Sequence, residues 1–316
     1  MKNGRPLQVR GELSTVPELS VLDRGAGPAV LFVHGQPGLG SDFDAVGALL
    51  VEDHRVLAPD RPGYGGTELH PRSMAQNAEA LAALIEQGDV APTTVVGHSY
   101  GGGIAVLLAV LRPDLVSGLV LVGSVGRADS LNVVDHLLAA PVAGEAMSAV
   151  GLSLLGRVLP RIRLLGTLLL RDELRPLIVT LPDSRYLEVV SRGGGQVWRS
   201  FVFEQRTLLR EITDVESSLP EVGVPTTVIA GEWDVVVPPW VARSIAGSIP
   251  GAELVMLEKV GHFVLRDAPD VVAAAVRRMD AKGDGHNTVP RDGTTGEPKR
   301  RHKRTRERPR HPHDSR

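Results

Sequence analysis

Short runs rich in Val, Ile and Leu alternate along the chain with longer stretches whose apolar residues recur every three or four positions. Unbroken apolar runs and a period of two mark strands, and a period near 3.6 marks helices. On this basis Leu7–Leu13 and Leu19–Asp23 predict an opening antiparallel pair, and Ala29–Val33 a short buried strand ending at His34-Gly35. Ser41 is placed to cap a helix through Val51, and Arg55–Ala58 reads as the next strand. Ser73 is placed to cap a second helix to about Glu86; Thr93–Val96 then predicts a strand, Tyr100–Leu111 a helix and Gly118–Val122 another strand.

The alternation stops there. From 126 to 219 the sequence is rich in Leu and Arg and helical in period, with no convincing buried strand. Strand-and-helix order returns with Pro225–Ala230, a helix near Pro239–Ser248, a strand at Glu253–Leu257 and a last helix at Pro269–Met279. The pattern predicts an α/β protein with a mostly parallel, doubly wound sheet. Its core spans 1–125 and 220–280. An insertion of roughly ninety residues is too long for a structureless loop, so 126–219 is expected to be a helical cap over the C-terminal edge of the sheet, where open sheets bind ligands.

Composition fits an ordinary globular chain, with 42% hydrophobic and 23% charged residues among 316. Aromatics are only 3%, so the core must be built mainly from Leu, Val and Ala. The absence of Cys excludes disulfides, thiolate metal sites, iron–sulfur clusters and a Cys nucleophile. The net charge of −2 conceals an asymmetry. Residues 281–316 hold eleven Lys/Arg against five Asp/Glu, while the rest holds 24 against 32. Polar, Gly- and Pro-rich and nearly without apolar residues, 281–316 is expected to be a disordered basic tail. A solvated tail is the plainer reading than binding to nucleic acid or an acidic membrane, and no specific nucleic-acid partner is expected.

The first six residues lead into no apolar run, which argues against a secretory signal. The longest stretch free of Asp, Glu, Lys and Arg, Val90–Leu111, has the length of a membrane span. Pro92, Gly97, His98 and Gly101–Gly103 interrupt it, so strand, turn and helix fit better, and a soluble cytoplasmic protein without a transmembrane segment is expected.

The strongest chemical signal is Gly97-His98-Ser99-Tyr100-Gly101, a G-x-S-x-G turn between a predicted strand and a predicted helix. Small residues at Gly97 and Gly101 allow a bend sharp enough to hold the Ser99 hydroxyl at a helix N-terminus. A hydroxyl needs a base, and the base an orienting acid. Four of the ten His lie in the tail. His262 follows the last strand in Val260-Gly261-His262-Phe263, and Asp234 follows the penultimate one in Gly231-Glu232-Trp233-Asp234. Taken alone, Asp234 is also a good cap before Pro238 and His262 a plain loop residue; their coincidence with Ser99 in the order Ser, Asp, His favours a triad. At His34-Gly35-Gln36-Pro37-Gly38 the backbone N–H of Gln36 is placed to join that of Tyr100 in an oxyanion hole. His34 reads as a brace for this loop, and the role of the Gln36 side chain stays open.

These motifs resemble the α/β-hydrolase superfamily, in the Ser-nucleophile branch with a helical cap between strands six and seven. The resemblance covers roughly 7–280 and includes His34–Pro37, Asp60-Arg61-Pro62-Gly63-Tyr64-Gly65, the elbow at 97–101, Asp234 and His262. It implies an α/β-hydrolase fold, a supporting role for His34, Gly35, Gly97 and Gly101, and a structural role for Asp60. Epoxide hydrolases and haloalkane dehalogenases are similar at His34–Pro37, but carry Asp where Ser99 stands. Carbon–carbon bond hydrolases and cofactor-free perhydrolases share the Ser triad and stay as alternatives.

The insertion adds less. Gln196–Phe203 holds Trp198, Phe201 and Phe203; Trp198 and Phe201 are candidates for a substrate pocket, with core packing the plainer reading. No phosphate loop, paired glycosidase carboxylates or H-E-x-x-H occurs, so neither metal nor cofactor is expected. The sequence therefore predicts a serine hydrolase of a small, largely apolar carboxylic ester, working through an acyl-enzyme. The alternative of another class is a receptor or scaffold that keeps the triad with little turnover. Oligomeric state is not legible.

Overall fold

The computed structural model describes residues 19–147, 150 and 194–284. Seven strands form one sheet: β1 (Val21–Arg24), β2 (Ala29–Val33), β3 (Arg55–Pro59), β4 (Thr93–His98), β5 (Val116–Val122), β6 (Thr226–Gly231) and β7 (Glu253–Leu257). Their order across the sheet is β1-β3-β2-β4-β5-β6-β7. Only the β1–β3 pair is antiparallel. The expected strand Leu7–Leu13 lies outside the described residues. Counted with it, the insertion follows the sixth strand; among the described strands it follows β5.

The central strands are buried on both faces because helices cover both sides. Alternate side chains divide between two cores, as the pleat requires. Leu31, Val33, Val95, Leu119, Leu121 and Val228 face one side. There they meet α2 (Met74–Gln87), α3 (Tyr100–Leu111), α5 (Gly194–Ser218) and α6 (Pro239–Ser248). Val30, Phe32, Val96, Val120, Val122 and Ile229 face the other. That side is covered by α1 (Asp44–Leu50), α7 (Val264–Asp267) and α8 (Pro269–Asp284). α3 is buried along nearly its whole length, so it runs through the middle of its layer.

Local chemistry sets the boundaries. Ser73 caps α2 as expected: its Oγ accepts from Gln76 N at 3.3 Å, and Gln76 Oε1 accepts from Ser73 N at 3.2 Å. Ser41 does not cap α1. A 3₁₀ turn spans Gly40–Phe43 first, closed by Asp42 Oδ2 accepting from Leu39 N at 3.0 Å. α8 passes Met279, where the expected helix ends, and continues to Asp284. The charge-free stretch at 90–111 is strand, elbow and helix, and among the described residues no helix is long and apolar enough to cross a membrane.

Of the insertion, α4 (Val133–Ala139) and α5 are described, together with neighbouring residues. The rest, and nearly all of the basic tail, lie outside the described residues.

Candidate active site

Parallel register brings the strand ends level. Val33 pairs with Gly97, His98 with Val122, and Val122 with Ile229. The segments leaving these ends carry the sequence candidates: His34–Gln36 after β2, Ser99 after β4, Asp234 after β6 and His262 after β7.

Ser99 occupies the turn between β4 and α3 with φ 55° and ψ −121°, a region L-residues seldom visit. The turn is held by Ser99 N donating to Val122 O at 3.0 Å and by Ser99 O accepting from Gly102 N at 2.9 Å. A Cβ on Gly101 would lie 2.1 Å from Val33 O, and one on Gly97 2.6 Å from Gly101 O. Both glycines are thus required by close backbone approach.

Asp234 and His262 are brought together. His262 Nδ1 lies 2.8 Å from Asp234 Oδ2, and both residues are buried. The other carboxylate oxygen, Oδ1, accepts from Val236 N at 2.9 Å and Val237 N at 2.8 Å. Asp234 therefore braces its own loop with one oxygen and orients the imidazole with the other. The two loops are pressed together: Trp233 N donates to Val260 O at 2.9 Å, and a Cβ on Gly231 would meet Val260 O at 2.1 Å.

No hydrogen bond joins Ser99 to His262 among the described contacts. Their link runs through the neighbours of Ser99. The His98 ring lies 4.9 Å from the His262 ring, centroid to centroid, and its Nε2 is 3.1 Å from His262 O. Nucleophile–base contacts are often long in unliganded sites and shorten around substrate. His98 is held neutral, its pKa lowered to about 3 by burial and then by the neighbouring His262. A neutral His98 donates through Nε2–H to that carbonyl and fixes the His262 backbone.

The loop after β2 lies against the elbow. A Cβ on Gly35 would stand 3.0 Å from Ser99 Cβ. Among the described residues, neither Gln36 N–H nor Tyr100 N–H has a hydrogen-bond acceptor. His34 is wholly buried; its Nε2 accepts from Arg61 N at 2.9 Å, so the proton sits on Nδ1, which donates to Gly35 O at 2.9 Å. Burial, and then the charge on Arg61, holds the His34 pKa well below the ordinary value. Both ring nitrogens of His34 are thus engaged by backbone groups. The Gln36 side chain donates from Nε2 to Gln205 Oε1 at 2.7 Å, and Gln205 Nε2 donates to Asp135 Oδ1 at 3.0 Å. This orders the amides from α4 through α5 to the loop.

Arg61 and Glu204 were not among the sequence candidates for chemistry. Both are wholly buried and paired, with Tyr64 OH donating to Glu204 Oε2 at 2.7 Å. Burial opposes charge on Arg61, but the attraction of Glu204 more than offsets it and leaves the guanidinium above its ordinary pKa. Glu204 lies on the stripe of α5 that faces the core. Ser200 donates to Gly63 O at 2.8 Å, Glu204 binds Arg61, Thr207 meets Tyr100 OH at 2.8 Å, and Glu211 accepts from Met74 N at 2.7 Å. The pocket candidates Trp198 and Phe201 are half-buried on the same helix, with the Arg199 guanidinium carbon 5.3 Å from the Trp198 ring. Asp60 supports the turn: its carboxylate accepts from Gly40 N and Gly66 N, each at 2.9 Å. No group of three His, Asp or Glu is placed to hold a metal ion among the described residues.

The family model described as "Alpha/beta hydrolase family" matches residues 30–275. An uncharacterized protein of Mycobacterium tuberculosis is 30% identical over 293 residues, covering 84% of each chain. Lipase LipV of the same organism is 31% identical over 268 residues, covering 80% of this chain and 93% of its own. Among solved structures, the candidate non-heme bromoperoxidase BpoC, also from M. tuberculosis, superposes with a TM-score of 0.65 at 26% identity, over 87% of this chain and 99% of that one.

Proposed function

The chain belongs to the alpha/beta hydrolase family, and on that premise we propose that it is a serine hydrolase that cleaves a small, largely apolar carboxylic ester through an acyl-enzyme on Ser99. The observation that carries the reading is the buried Asp234–His262 pair, 2.8 Å apart, beside a serine held at positive φ. Neutral His262 removes the Ser99 proton as Oγ attacks the ester carbonyl. Asp234 keeps the imidazole proton on Nδ1, so Nε2 is the basic nitrogen, and it stabilises the imidazolium that forms. The amides of Gln36 and Tyr100, free of protein acceptors among the described residues, bind the developing oxyanion. His262 returns the proton to the departing alcohol, and water then attacks the acyl-enzyme with His262 again as base, releasing the acid.

Arg61 and Glu204, a buried ion pair, neutralise each other, so this pair offers no net charge to an ionic acyl group, which fits an uncharged substrate. The Leu-rich insertion at 126–219 is read as the cap that covers this substrate, with α4 and α5 as its described helices.

Stopped-flow turnover of 4-nitrophenyl esters of increasing acyl length tests the proposal. It expects a burst of one 4-nitrophenolate per active site and a preference for short apolar chains. Folded protein with neither burst nor turnover across the series would favour the receptor or scaffold reading and overturn this one. The likeness to BpoC gives one specific second reading, in which hydrogen peroxide replaces water at the acyl-enzyme and a peracid leaves. Peracid formation at the expense of acid, on adding peroxide, would distinguish it.

A further inference from the structure

The side chain of Arg61 lies behind the loop that carries the Gln36 amide. Its Nε donates to His34 O at 3.0 Å and its Nη2 to Gly35 O at 2.8 Å. Gly35 O and Gln36 N–H belong to one peptide plane. That bond is trans, since the cis bonds among the described residues are Gln36-Pro37 and Ala91-Pro92, so the N–H points away from the carbonyl. Two donors converge on Gly35 O, Arg61 Nη2 and His34 Nδ1. Fixing the carbonyl end fixes the direction of the N–H end. A charged donor on the carbonyl also polarises the peptide and makes its N–H a stronger donor.

The guanidinium is itself aimed from the insertion. Nη1 and Nη2 both bond to Glu204 of α5, and Tyr64 OH completes the carboxylate. The Arg61 carbon lies 5.2 Å from the Tyr64 ring and 5.1 Å from the Tyr100 ring, so the fork has little freedom to turn. A buried ion pair is by itself a poor stabiliser, because desolvation of both charges offsets their attraction. What this pair supplies is geometry. We propose that Arg61 is a positioning residue for the oxyanion hole, set by Glu204, so that docking of α5 and alignment of the Gln36 amide are one event. This inference rests on the serine hydrolase reading and assigns its preorganisation to a contact between core and cap.

Three proteins test it: wild type, Arg61→Lys, and the double variant Arg61→Met with Glu204→Leu, which removes both buried charges together and avoids stranding one. Folding is checked by circular dichroism and thermal melting. kcat and KM are measured with 4-nitrophenyl acetate, and labelling of Ser99 by a fluorophosphonate is mapped in the wild type. Lysine has three donors on one nitrogen and cannot reproduce the four bonds that the guanidinium makes to His34 O, Gly35 O and Glu204. The expected result is a kcat about 10- to 100-fold lower in the double variant, a smaller loss in Arg61→Lys, and KM within about threefold of wild type in both. Loss of packing alone would lower the melting temperature without this split. A folded double variant with wild-type kcat overturns the proposal; if the double variant does not fold, wild-type kcat in Arg61→Lys overturns it. If wild-type Ser99 neither labels nor turns over ester, the serine hydrolase reading falls first. Labelled wild type with unaffected variants sinks the positioning role alone.

Discussion

Asp234 holds His262 from below: Oδ2 lies 2.8 Å from His262 Nδ1, while Oδ1 is spent on the amides of Val236 and Val237. The carboxylate is thus fixed by its own loop before it meets the imidazole. Asp234→Asn retains the shape but offers an N–H or a weaker acceptor toward Nδ1, so the ring loses its preferred tautomer. We expect kcat to fall by about 10³- to 10⁴-fold with little change in melting temperature, as measured with a 4-nitrophenyl ester.

Ser99 and His262 are expected to act as one unit. Ser99→Ala and His262→Ala each remove the activated nucleophile, so the double variant should be scarcely slower than either single one. Losses that multiply would show that the two residues work independently.

His98 gives a pH prediction with a definite sign. Burial and then the neighbouring His262 hold it near 3 when folded, whereas in the unfolded chain it titrates near the reference value of about 6.5. Between those values the unfolded chain binds more protons, so stability is full above about pH 6.5 and falls as pH drops toward 3. Melting temperatures between pH 7 and 4.5 should decline more steeply in wild type than in His98→Gln. The charged and titratable neighbours His262, Asp234 and His34 are present in both proteins, so the difference in slope isolates His98. Equal slopes would contradict it.

Glu211 is expected to matter for stability and not for chemistry. Its Oε2 accepts from Met74 N at 2.7 Å and Ala75 N at 3.4 Å, two donors that the first turn of α2 leaves unpaired. Glu211→Ala should cost about 1–2 kcal/mol in urea unfolding and leave kcat within about twofold.

Much of this arrangement was legible because its causes are local. Gly97, Ser99 and Gly101 reveal the elbow through the steric demand of a tight turn, and Ser73 with Gln76 marks the start of α2. Asp234 reads in the sequence as a helix cap before Pro238 or as an orienting acid; in the structure one oxygen binds the amides of Val236 and Val237 and the other lies 2.8 Å from His262 Nδ1. The Arg61–Glu204 pair was not legible. A glutamate in an amphipathic helix reads as solvent-facing, and its partner lies 143 positions away. In α5 the buried stripe changes character along its length, from Ser200, Glu204 and Thr207 to Leu208, Ile212 and Val215. Hydrophobic periodicity finds Val197, Leu208, Ile212 and Val215 and misses the polar members Ser200, Glu204 and Thr207. Aromatic residues are the usual pocket markers, yet Trp198 and Phe201 are only half-buried, whereas the polar Ser200 and Glu204 beside them are buried and bond to the core. Ser41 failed as a cap for a similar reason, since Asp42 reaches the Leu39 amide first.

In the proposed mechanism Ser99 becomes covalently acylated with help from His262. The most direct test is to treat the full chain with a fluorophosphonate and locate the adduct by peptide mass spectrometry. The expected result is one adduct on Ser99, none in Ser99→Ala, and labelling slowed at least about a hundredfold in His262→Ala. An unlabelled but folded wild type, or an adduct on any other serine, would contradict it.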